Sequence, residues 1–234
     1  MPLKCLAVDL DGTLTDSEGV IHYEVVKKLE EIKNFGVKVI LVSGASYPAV
    51  VTLAYYLPVT RLAVAENGGV VGFRNNYRLL APAEDRDAIL KVVKEKLDGI
   101  LLYSWQNQFR FVDLAFHPAP GLTPEQATSR ASEVLSPIGY EVVDSGWAIH
   151  VHRVGVNKAR GLLEACKILD LDPSSVAAVG DSEVDIPMFE VAGVSVALGN
   201  APTRVKEKAC YVVNNSYFKG FLEAVDLLER KQLL

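Results

Sequence analysis

The sequence has few of the residues that would mark a secreted, zinc-binding or nucleic-acid-binding protein. Cysteine occurs three times in 234 residues, at Cys5, Cys166 and Cys210. Because the cysteines are odd in number and far apart in the sequence, they argue against both a disulfide framework and a zinc site. Acidic residues outnumber basic ones, 29 against 24, for a net charge of -5. That balance does not favour a broad nucleic-acid surface.

Long hydrophobic runs are also missing. No uninterrupted apolar segment reaches the roughly 18 residues that a membrane span needs, and no basic and apolar leader precedes Asp9. We therefore expect a cytoplasmic protein that binds neither membrane nor nucleic acid, as a monomer or a homodimer. Half of its residues are hydrophobic, which is enough for a sizeable core.

The outer thirds of the chain alternate apolar strands with helices. The predicted strands lie at residues 5–8, 37–42, 61–65, 176–179, 194–198 and 211–213. The predicted helices lie at residues 23–35, 47–56, 157–169, 187–191, 203–208 and 217–231. Strand–helix–strand units with tight links are typical of a parallel sheet with right-handed crossovers. We therefore predict an α/β fold whose core is a doubly wound, Rossmann-like parallel sheet.

The middle of the chain has a different pattern. A hairpin is predicted at residues 70–80 with Asn75 and Asn76 at its turn. Helices are then predicted at residues 84–97 and 123–135, and strands at 108–116, 140–143 and 147–152. This mixture is typical of an α+β unit. We predict an inserted α+β domain at residues 82–154 and a core domain formed by residues 1–81 and 155–234.

Two carboxylates, Asp9 and Asp11, follow the first strand, and Gly12 and Thr13 come directly after them. In an open α/β sheet the carboxyl ends of the strands open into the ligand crevice. Carboxylates this close repel each other and are costly to desolvate unless a cation joins them. An isolated Asp-Gly pair would more simply be a surface turn, so the interpretation depends on what else reaches this edge.

Further polar residues are predicted to lie at the same edge of the sheet. Ser43 and Gly44 follow the second strand, Lys158 lies in the first turn of a helix, and Asp181 follows a later strand with Asp185 four residues on. Each alone has an ordinary explanation as a turn residue, a cap or a solvated side chain. A parallel sheet brings them all to one edge.

Together these residues indicate a site for a phosphoryl group. The four aspartates form an acidic cluster that suits Mg²⁺, which prefers oxygen ligands and leaves room for substrate phosphate. Lys158, the hydroxyl of Ser43 and the amides beside Gly12 and Gly44 would surround the phosphoryl oxygens. A cation at a helix N-terminus opposes the helix dipole, and an anion in front of Lys158 would offset this.

The motifs D-L-D-G-T at residues 9–13, S-G at 43–44, Lys158 and G-D-S-x-x-D at 180–185 resemble those of the haloacid dehalogenase-like phosphatases. The first and last motifs are specific, whereas the serine and the lysine are weak alone. The insertion between the second and third motifs resembles the subgroup with an α+β cap domain. Chain length and cap size most resemble the archaeal phosphoglycolate phosphatases.

This resemblance implies a role for each residue. Asp9 would be the nucleophile, form an aspartyl phosphate and bind Mg²⁺. Asp11 would act as general acid and then general base, and bind the metal through its carbonyl. Ser43 and Lys158 would hold the phosphoryl oxygens. Asp181 and Asp185 would complete or orient the metal shell.

The implied activity is Mg²⁺-dependent hydrolysis of a small phosphomonoester, with 2-phosphoglycolate as the first choice of substrate. Two positions depart from many relatives: Val184 stands where Asn is common, and Ala45 where Arg or Asn is common. The alternatives are a sugar-phosphate phosphatase or phosphomutase and, outside enzymes, a phospho-accepting receiver-like module. In the last of these the acceptor would lie on an interior strand, with no inserted domain.

Several other residues have less decisive patterns. His150 and His152 alternate on a predicted strand, and we interpret them as partly buried strand residues more readily than as a substrate-contacting pair. Trp105, Phe109 and Phe111 are interpreted as core residues of the inserted domain. The residue Asn200 follows a strand and could serve either the phosphate site or a turn. No Arg or Lys of the insert is identified as a ligand for a substrate carboxylate.

Overall fold

The computed structural model describes residues 2–234, in which the chain forms two β-sheets flanked by helices. The larger sheet contains β1 (Cys5–Val8), β2 (Lys38–Val42), β3 (Ala63–Ala65), β4 (Val70–Phe73), β5 (Asn76–Leu79), β10 (Val176–Gly180), β11 (Val194–Ala197) and β12 (Tyr211–Val212). The smaller sheet contains β6 (Leu101–Tyr103), β7 (Leu114–Pro118), β8 (Tyr140–Asp144) and β9 (Ile149–Arg153). The helices are α1 (Tyr23–Asn34), α2 (Tyr47–Tyr56), α3 (Asp85–Lys96), α4 (Pro124–Leu135), α5 (Lys158–Leu169), α6 (Ile186–Val191), α7 (Thr203–Lys206) and α8 (Tyr217–Arg230).

The larger sheet has the strand order β12-β11-β10-β1-β2-β3-β4-β5. Its strands are parallel from β12 to β3, and the β4–β5 hairpin adds an antiparallel edge. The predicted α/β fold is confirmed. The first strand in sequence, β1, is central. It lies between β2 from the first part of the chain and β10 from the last part, so the ends of these strands lie beside its own end.

Two hydrophobic clusters cover the two faces of the larger sheet. Helices α1, α2 and α8 pack on one face, and α5, α6 and α7 pack on the other. Alternate residues of β1 follow this division, because Leu6 and Val8 belong to the first cluster and Cys5 and Ala7 to the second. Burial on both faces explains why the parallel strands read as continuous apolar runs rather than as alternating patterns.

The smaller sheet is antiparallel, with the strand order β6-β7-β9-β8, and it has its own hydrophobic cluster with α3 and α4. The start of α4 is as predicted. The hydroxyl of Thr123 accepts the N–H of Gln126 at 3.3 Å, the Gln126 side chain accepts the N–H of Thr123 at 3.0 Å, and Pro124 occupies the first turn.

The predicted strand over residues 108–116 is correct only for residues 114–116, which belong to β7. The chain instead forms the unpredicted β6, a 3₁₀ helix at Trp105–Phe109 and then β7. The side chain of Asn107 donates to the carbonyl of Ala115 and accepts its N–H, both at 2.7 Å. Because Ala115 lies in β7, the Asn107 side chain pairs these backbone groups where a longer β6 would otherwise do so, and the chain after Tyr103 turns as a 3₁₀ helix instead.

The predicted β4–β5 turn is displaced by one residue. Asn76 is already the first residue of β5, and the turn lies at Arg74 and Asn75, with Arg74 at φ +41°. Within residues 2–234, no helix combines the length and apolar character that a membrane crossing requires.

Candidate active site

The carboxyl ends of the central strands place Asp9, Ser43 and Asp181 at one edge of the larger sheet. Asp9 directly follows β1, and its N–H donates to the carbonyl of Val179 in β10 at 3.0 Å. Ser43 directly follows β2, and Asp181 directly follows β10. This edge is where an open α/β sheet forms its ligand crevice.

Lys158 joins two of the predicted aspartates from the first turn of α5. Its Nζ donates to Oδ1 of Asp9 and to Oδ1 of Asp185, each at 2.6 Å, and its side chain is 1% exposed. Burial alone would lower the pKa of this ammonium group, but Asp185 and Asp9 outweigh burial and raise the pKa. The anions in front of this helix N-terminus are therefore the protein's own carboxylates.

Close packing at the start of α5 keeps Lys158 in place. A methyl group on Gly161 would lie 2.6 Å from Cα of Gly68 and 2.5 Å from the side chain of Val64. Gly68 itself has a φ of +90° and lies against the carbonyl of Asn157, where a Cβ would come within 2.0 Å. Glycine at both positions lets the helix contact the turn after β3 directly.

Asp185 is held by the loop that precedes it. Its Oδ2 accepts the N–H groups of Asp181 and Ser182, at 3.0 and 2.9 Å, and the hydroxyl of Ser182 at 3.0 Å. Its Oδ1 accepts Lys158. Asp185 thus fixes the loop after β10 while its second oxygen faces the site.

The carboxylate of Asp181 receives two polar donors. Thr13 donates its hydroxyl at 2.8 Å and Asn200 donates its side-chain amide at 2.7 Å. Asn200 also donates to the carbonyl of Gly12, so it joins the strand-end loops of the site rather than serving only as a turn residue. Burial, together with the charge of Asp185, raises the pKa of Asp181 to about 7.

Asp9, Asp181 and Asp185 form an acidic cluster in which one oxygen from each side chain lies within 4.8 Å of the others. The carboxylate of Asp11 is not part of this set. Burial raises the pKa of Asp9, and the nearby aspartates add to that effect while Lys158 opposes it. Three carboxylates against one ammonium leave an excess of negative charge, and their all-oxygen donor set is the kind that a hard divalent cation prefers.

Gly12 contributes in a way that the sequence analysis did not predict. Its N–H donates to the hydroxyl of Thr15 at 3.0 Å, so that amide is already paired within the loop. A Cβ at this position would lie 2.6 Å from Oδ2 of Asp181, and the residue has a φ of +84°. Glycine is required here because of this close approach and backbone conformation.

Ser43 and Gly44 lie at the next strand end. The Oγ atom of Ser43 accepts the N–H of Ala45 at 3.0 Å, which leaves its hydroxyl proton available to another acceptor. Ser43 is fully buried, whereas Gly44 lines the cavity described below. A Cβ on Gly44 would lie 3.0 Å from the side chain of Asn67.

A cavity of about 340 Å³ lies between this sheet edge and the smaller sheet. Asp9, Asp11, Gly44 and Lys158 line it from the larger sheet's side. From the other side it is lined by Ser104, Trp105, Gln106, Arg110, Ala115, His117, Ser145, Trp147, Ala148 and His150. The structure thus brings Asp11 opposite residues of the smaller sheet.

Three interpretations of these residues need correction. His150 is buried, as expected, but it also lines the cavity, whereas His152 faces a different one. Trp105 is 68% exposed and lines the cavity, and Phe109 is 47% exposed, so neither is a core residue. The 3₁₀ helix, which the sequence pattern did not predict, is what turns them outward.

The sequence analysis missed Arg110, the buried cation of the cavity wall. Asp11 is influenced by it, because burial raises the pKa of Asp11 while Lys158, His150 and Arg110 oppose that rise. No local signal marks Arg110, which stands between Phe109 and Phe111, and its position in the cavity depends on how its neighbour Asp113 binds His150 from another strand.

A buried glutamate connects the turn after β3 to the segment before β7. The carboxylate of Glu66 accepts the N–H groups of Phe111, Val112 and Asp113, at 2.9 Å, 2.9 Å and 3.2 Å. The next residue, Asn67, donates to Oδ2 of Asp113 at 3.1 Å. These bonds fix the cavity wall that carries Arg110 relative to the larger sheet.

The chain matches the haloacid dehalogenase-like hydrolase family over residues 6–115 and 123–225. It is 35% identical over 227 residues to the phosphoglycolate phosphatase of Methanoculleus marisnigri, covering 95% of each chain. It is also 35% identical over 230 residues to phosphoglycolate phosphatase 1 of Saccharolobus solfataricus, covering 97% of this chain and 96% of that one. The fold is similar to the crystal structure of a Thermoplasma acidophilum protein, with a TM-score of 0.87, 21% identity and 100% coverage of both chains.

Proposed function

The chain belongs to the haloacid dehalogenase-like hydrolases and is a phosphoric monoester hydrolase, and we propose that it hydrolyses 2-phosphoglycolate through an aspartyl phosphate on Asp9. The observation that carries this proposal is the position of Asp9 in the cavity, bonded to Lys158 and next to Asp11 and Asp181. The names of the relatives support the choice of substrate.

In the first step a carboxylate oxygen of Asp9 attacks phosphorus, and the bond from phosphorus to the glycolate oxygen breaks. Lys158 holds Oδ1 of Asp9, so Oδ2 is the oxygen available to form the new bond. Burial raises the pKa of Asp9, and Lys158 opposes that rise, so the ammonium group acts in favour of the carboxylate form, which is the nucleophilic one.

Asp11 would supply the proton for the leaving oxygen. Burial raises the pKa of Asp11, which favours the protonated form that a general acid needs. In the second step a water attacks phosphorus and gives a proton to Asp11, while the bond to Asp9 breaks. Hydrolysis then ends with glycolate, inorganic phosphate and the starting protonation states.

We propose that Asp9, Asp181 and Asp185 hold Mg²⁺, with the Asp11 carbonyl as a further ligand. The oxygen donor set fits this ion, and the excess negative charge of the cluster calls for a cation. Bound there, Mg²⁺ would neutralise charge on the phosphoryl oxygens. Ser43, Gly44 and Lys158 are the proposed phosphate-binding residues on this side of the cavity.

Residues 82–154 would act as a cap domain on a core formed by residues 1–81 and 155–234. Its smaller sheet supplies the second wall of the cavity, and exclusion of water there strengthens the electrostatic interactions inside. The residues that distinguish one phosphoester from another would then come from the cap, because the catalytic groups belong to the core.

The test is release of phosphate from 2-phosphoglycolate by the purified protein with Mg²⁺. We expect the wild type to release phosphate and Asp9→Asn to release none. The circular dichroism spectrum of Asp9→Asn should match that of the wild type, which would show that its fold is unchanged. Phosphate set free to water, with no isomerised phosphoester from a hexose phosphate, would separate hydrolysis from the phosphomutase alternative. Full activity of Asp9→Asn would rule out this nucleophile.

A further inference from the structure

We propose that Arg110 and His150 form a second anion subsite in the cavity, which binds the carboxylate end of the substrate. This rests on the proposed function, in which the substrate carries a carboxylate two bonds from the ester oxygen. Both side chains line the cavity, although they are only 4% and 3% exposed. They are thus buried polar groups at the wall that faces Asp11.

Asp113 fixes both members of the subsite. Its Oδ2 accepts Nη1 of Arg110 at 3.0 Å and Nδ1 of His150 at 2.8 Å, and Asn67 donates to the same oxygen. Burial opposes ionisation of Asp113, but His150 and Arg110 outweigh burial and lower its pKa. Because Asp113 is therefore an anionic acceptor, Nδ1 of His150 carries the proton and donates it.

This arrangement leaves polar atoms that the protein does not pair. Nε2 of His150 has no hydrogen-bond partner within residues 2–234, and neither has Nε of Arg110. Nη2 of Arg110 has only a long contact of 3.4 Å with the side chain of Gln106. A bound carboxylate would accept from Nη2 of Arg110, and it would accept from Nε2 of His150 in the protonated form of the ring, in which both nitrogens donate.

The distribution of charge in the cavity leads to the same assignment. Among the described residues that line it, the permanent cations are Lys158 and Arg110. Lys158 is bonded to Asp9 and Asp185 at the phosphoryl end, where a substrate carboxylate would be repelled by the acidic cluster. On the opposite wall Arg110 and His150 share the single carboxylate of Asp113, so a second anion is repelled less there than at the acidic cluster.

The subsite is tested by comparing two esters that differ only at this end. Ethyl phosphate has a methyl group where 2-phosphoglycolate has its carboxylate. His150→Asn keeps a short amide donor for Asp113 but removes Nε2. We expect kcat/KM for 2-phosphoglycolate to fall about tenfold to a hundredfold, as for loss of a charged hydrogen bond. Activity on ethyl phosphate should fall less, because its methyl group makes no bond to Nε2, so the readout is the ratio of the two kcat/KM values.

Arg110→Lys tests the other member. It keeps the charge paired with Asp113, so folding is preserved, but it removes the planar fork that binds a carboxylate. The preference for 2-phosphoglycolate over ethyl phosphate should again fall, with the change mainly in KM. The control is His152→Asn, the same substitution at a buried position two residues along β9, which should leave the preference unchanged.

The possible results separate the two proposals. If the wild type does not prefer 2-phosphoglycolate to ethyl phosphate, the proposed substrate is wrong. If the wild type has the preference and both variants keep it, the subsite is wrong and the proposed function stands. Equal losses on both esters in both variants would assign Arg110 and His150 to structure alone and would also overturn the subsite.

Discussion

At the scale of single residues, the charge balance of the site depends on Lys158. Its ammonium group lies between two buried carboxylates, and its own side chain is buried as deeply as theirs. A buried ion pair is a weak source of net stability, because desolvation offsets much of the attraction. Removal of one partner is different, since it leaves the remaining charges unpaired.

Lys158→Met should therefore be strongly destabilising. We expect the free energy of unfolding, measured by urea denaturation without metal, to fall by about 3–5 kcal/mol. Lys167→Met is the matched control, because Lys167 is 75% exposed on the same helix. Its effect should stay within about 0.5 kcal/mol. Equal effects of the two substitutions would contradict the assigned role of Lys158.

Asp181 gives a prediction about pH. Its pKa is about 7 in the folded protein, raised from an ordinary value of 3.8. Between these values the folded state keeps a proton on Asp181 that the unfolded state has lost, so the contribution of this group to the stability of the metal-free protein falls as pH rises from about 4 to 7. The Asp181→Asn variant lacks this titration, and its free energy of unfolding should fall less steeply over that range.

The measurement is a series of urea denaturations between pH 4 and 7 with a chelator present. Asp87→Asn, at an 83% exposed side chain of α3, serves as control and should keep the wild-type slope. Parallel slopes for wild type and Asp181→Asn would show that Asp181 is not the group responsible.

At the scale of elements, the 3₁₀ turn after β3 connects the larger sheet to the cavity wall. Its residues Glu66 and Asn67 both have positive φ, at +53° and +52°, which costs conformational energy. The buried Glu66 carboxylate offsets that cost by accepting three consecutive backbone N–H groups from residues 111–113. Burial nevertheless raises its pKa, against the effect of these amides.

Glu66→Gln should weaken the hydrogen bonds between the turn after β3 and residues 111–113 without leaving a cavity, because glutamine has nearly the same volume as glutamate. The amide has one acceptor oxygen in place of two and no charge, so we expect a loss of about 1–3 kcal/mol in the free energy of unfolding. Hydrogen exchange should accelerate at the N–H groups of residues 111–113 before it changes in α1 or β1. The control Glu133→Gln, at an exposed position of α4, should leave exchange at residues 111–113 as in wild type.

At the scale of the whole molecule, the features that could be predicted from the sequence are those that depend on local residue patterns and on the order of strands along the chain. The parallel core could be predicted because its strands are continuous apolar runs that end in polar residues, as in β1 before Asp9. Helix α4 could be predicted because Thr123, Pro124 and Gln126 form a local start signal. In each case the residues that form the signal lie within a few positions of one another in the sequence.

What could not be predicted depends on contacts between distant segments. Asn107 bonds the backbone of Ala115 where β6 would otherwise continue, so a 3₁₀ helix follows β6, and no hydrophobic period encodes that bond. His150 meets Arg110 and Asp113 only because β7 pairs with β9. The hydrogen bonds of Lys158 are a further example. The sequence places Asp9 and Asp185 at the same sheet edge as Lys158, but it does not predict that Lys158 donates directly to both carboxylates.

If Asp9 captures the phosphoryl group, the phosphorylated enzyme can be trapped during turnover. The protein is mixed with phosphate-labelled 2-phosphoglycolate and Mg²⁺ and quenched in acid during turnover, and its peptides are then mapped by mass spectrometry. We expect an acid-stable label on the peptide that contains Asp9 and none in Asp9→Asn. A label on another residue, or the same label in Asp9→Asn, would contradict this role of Asp9.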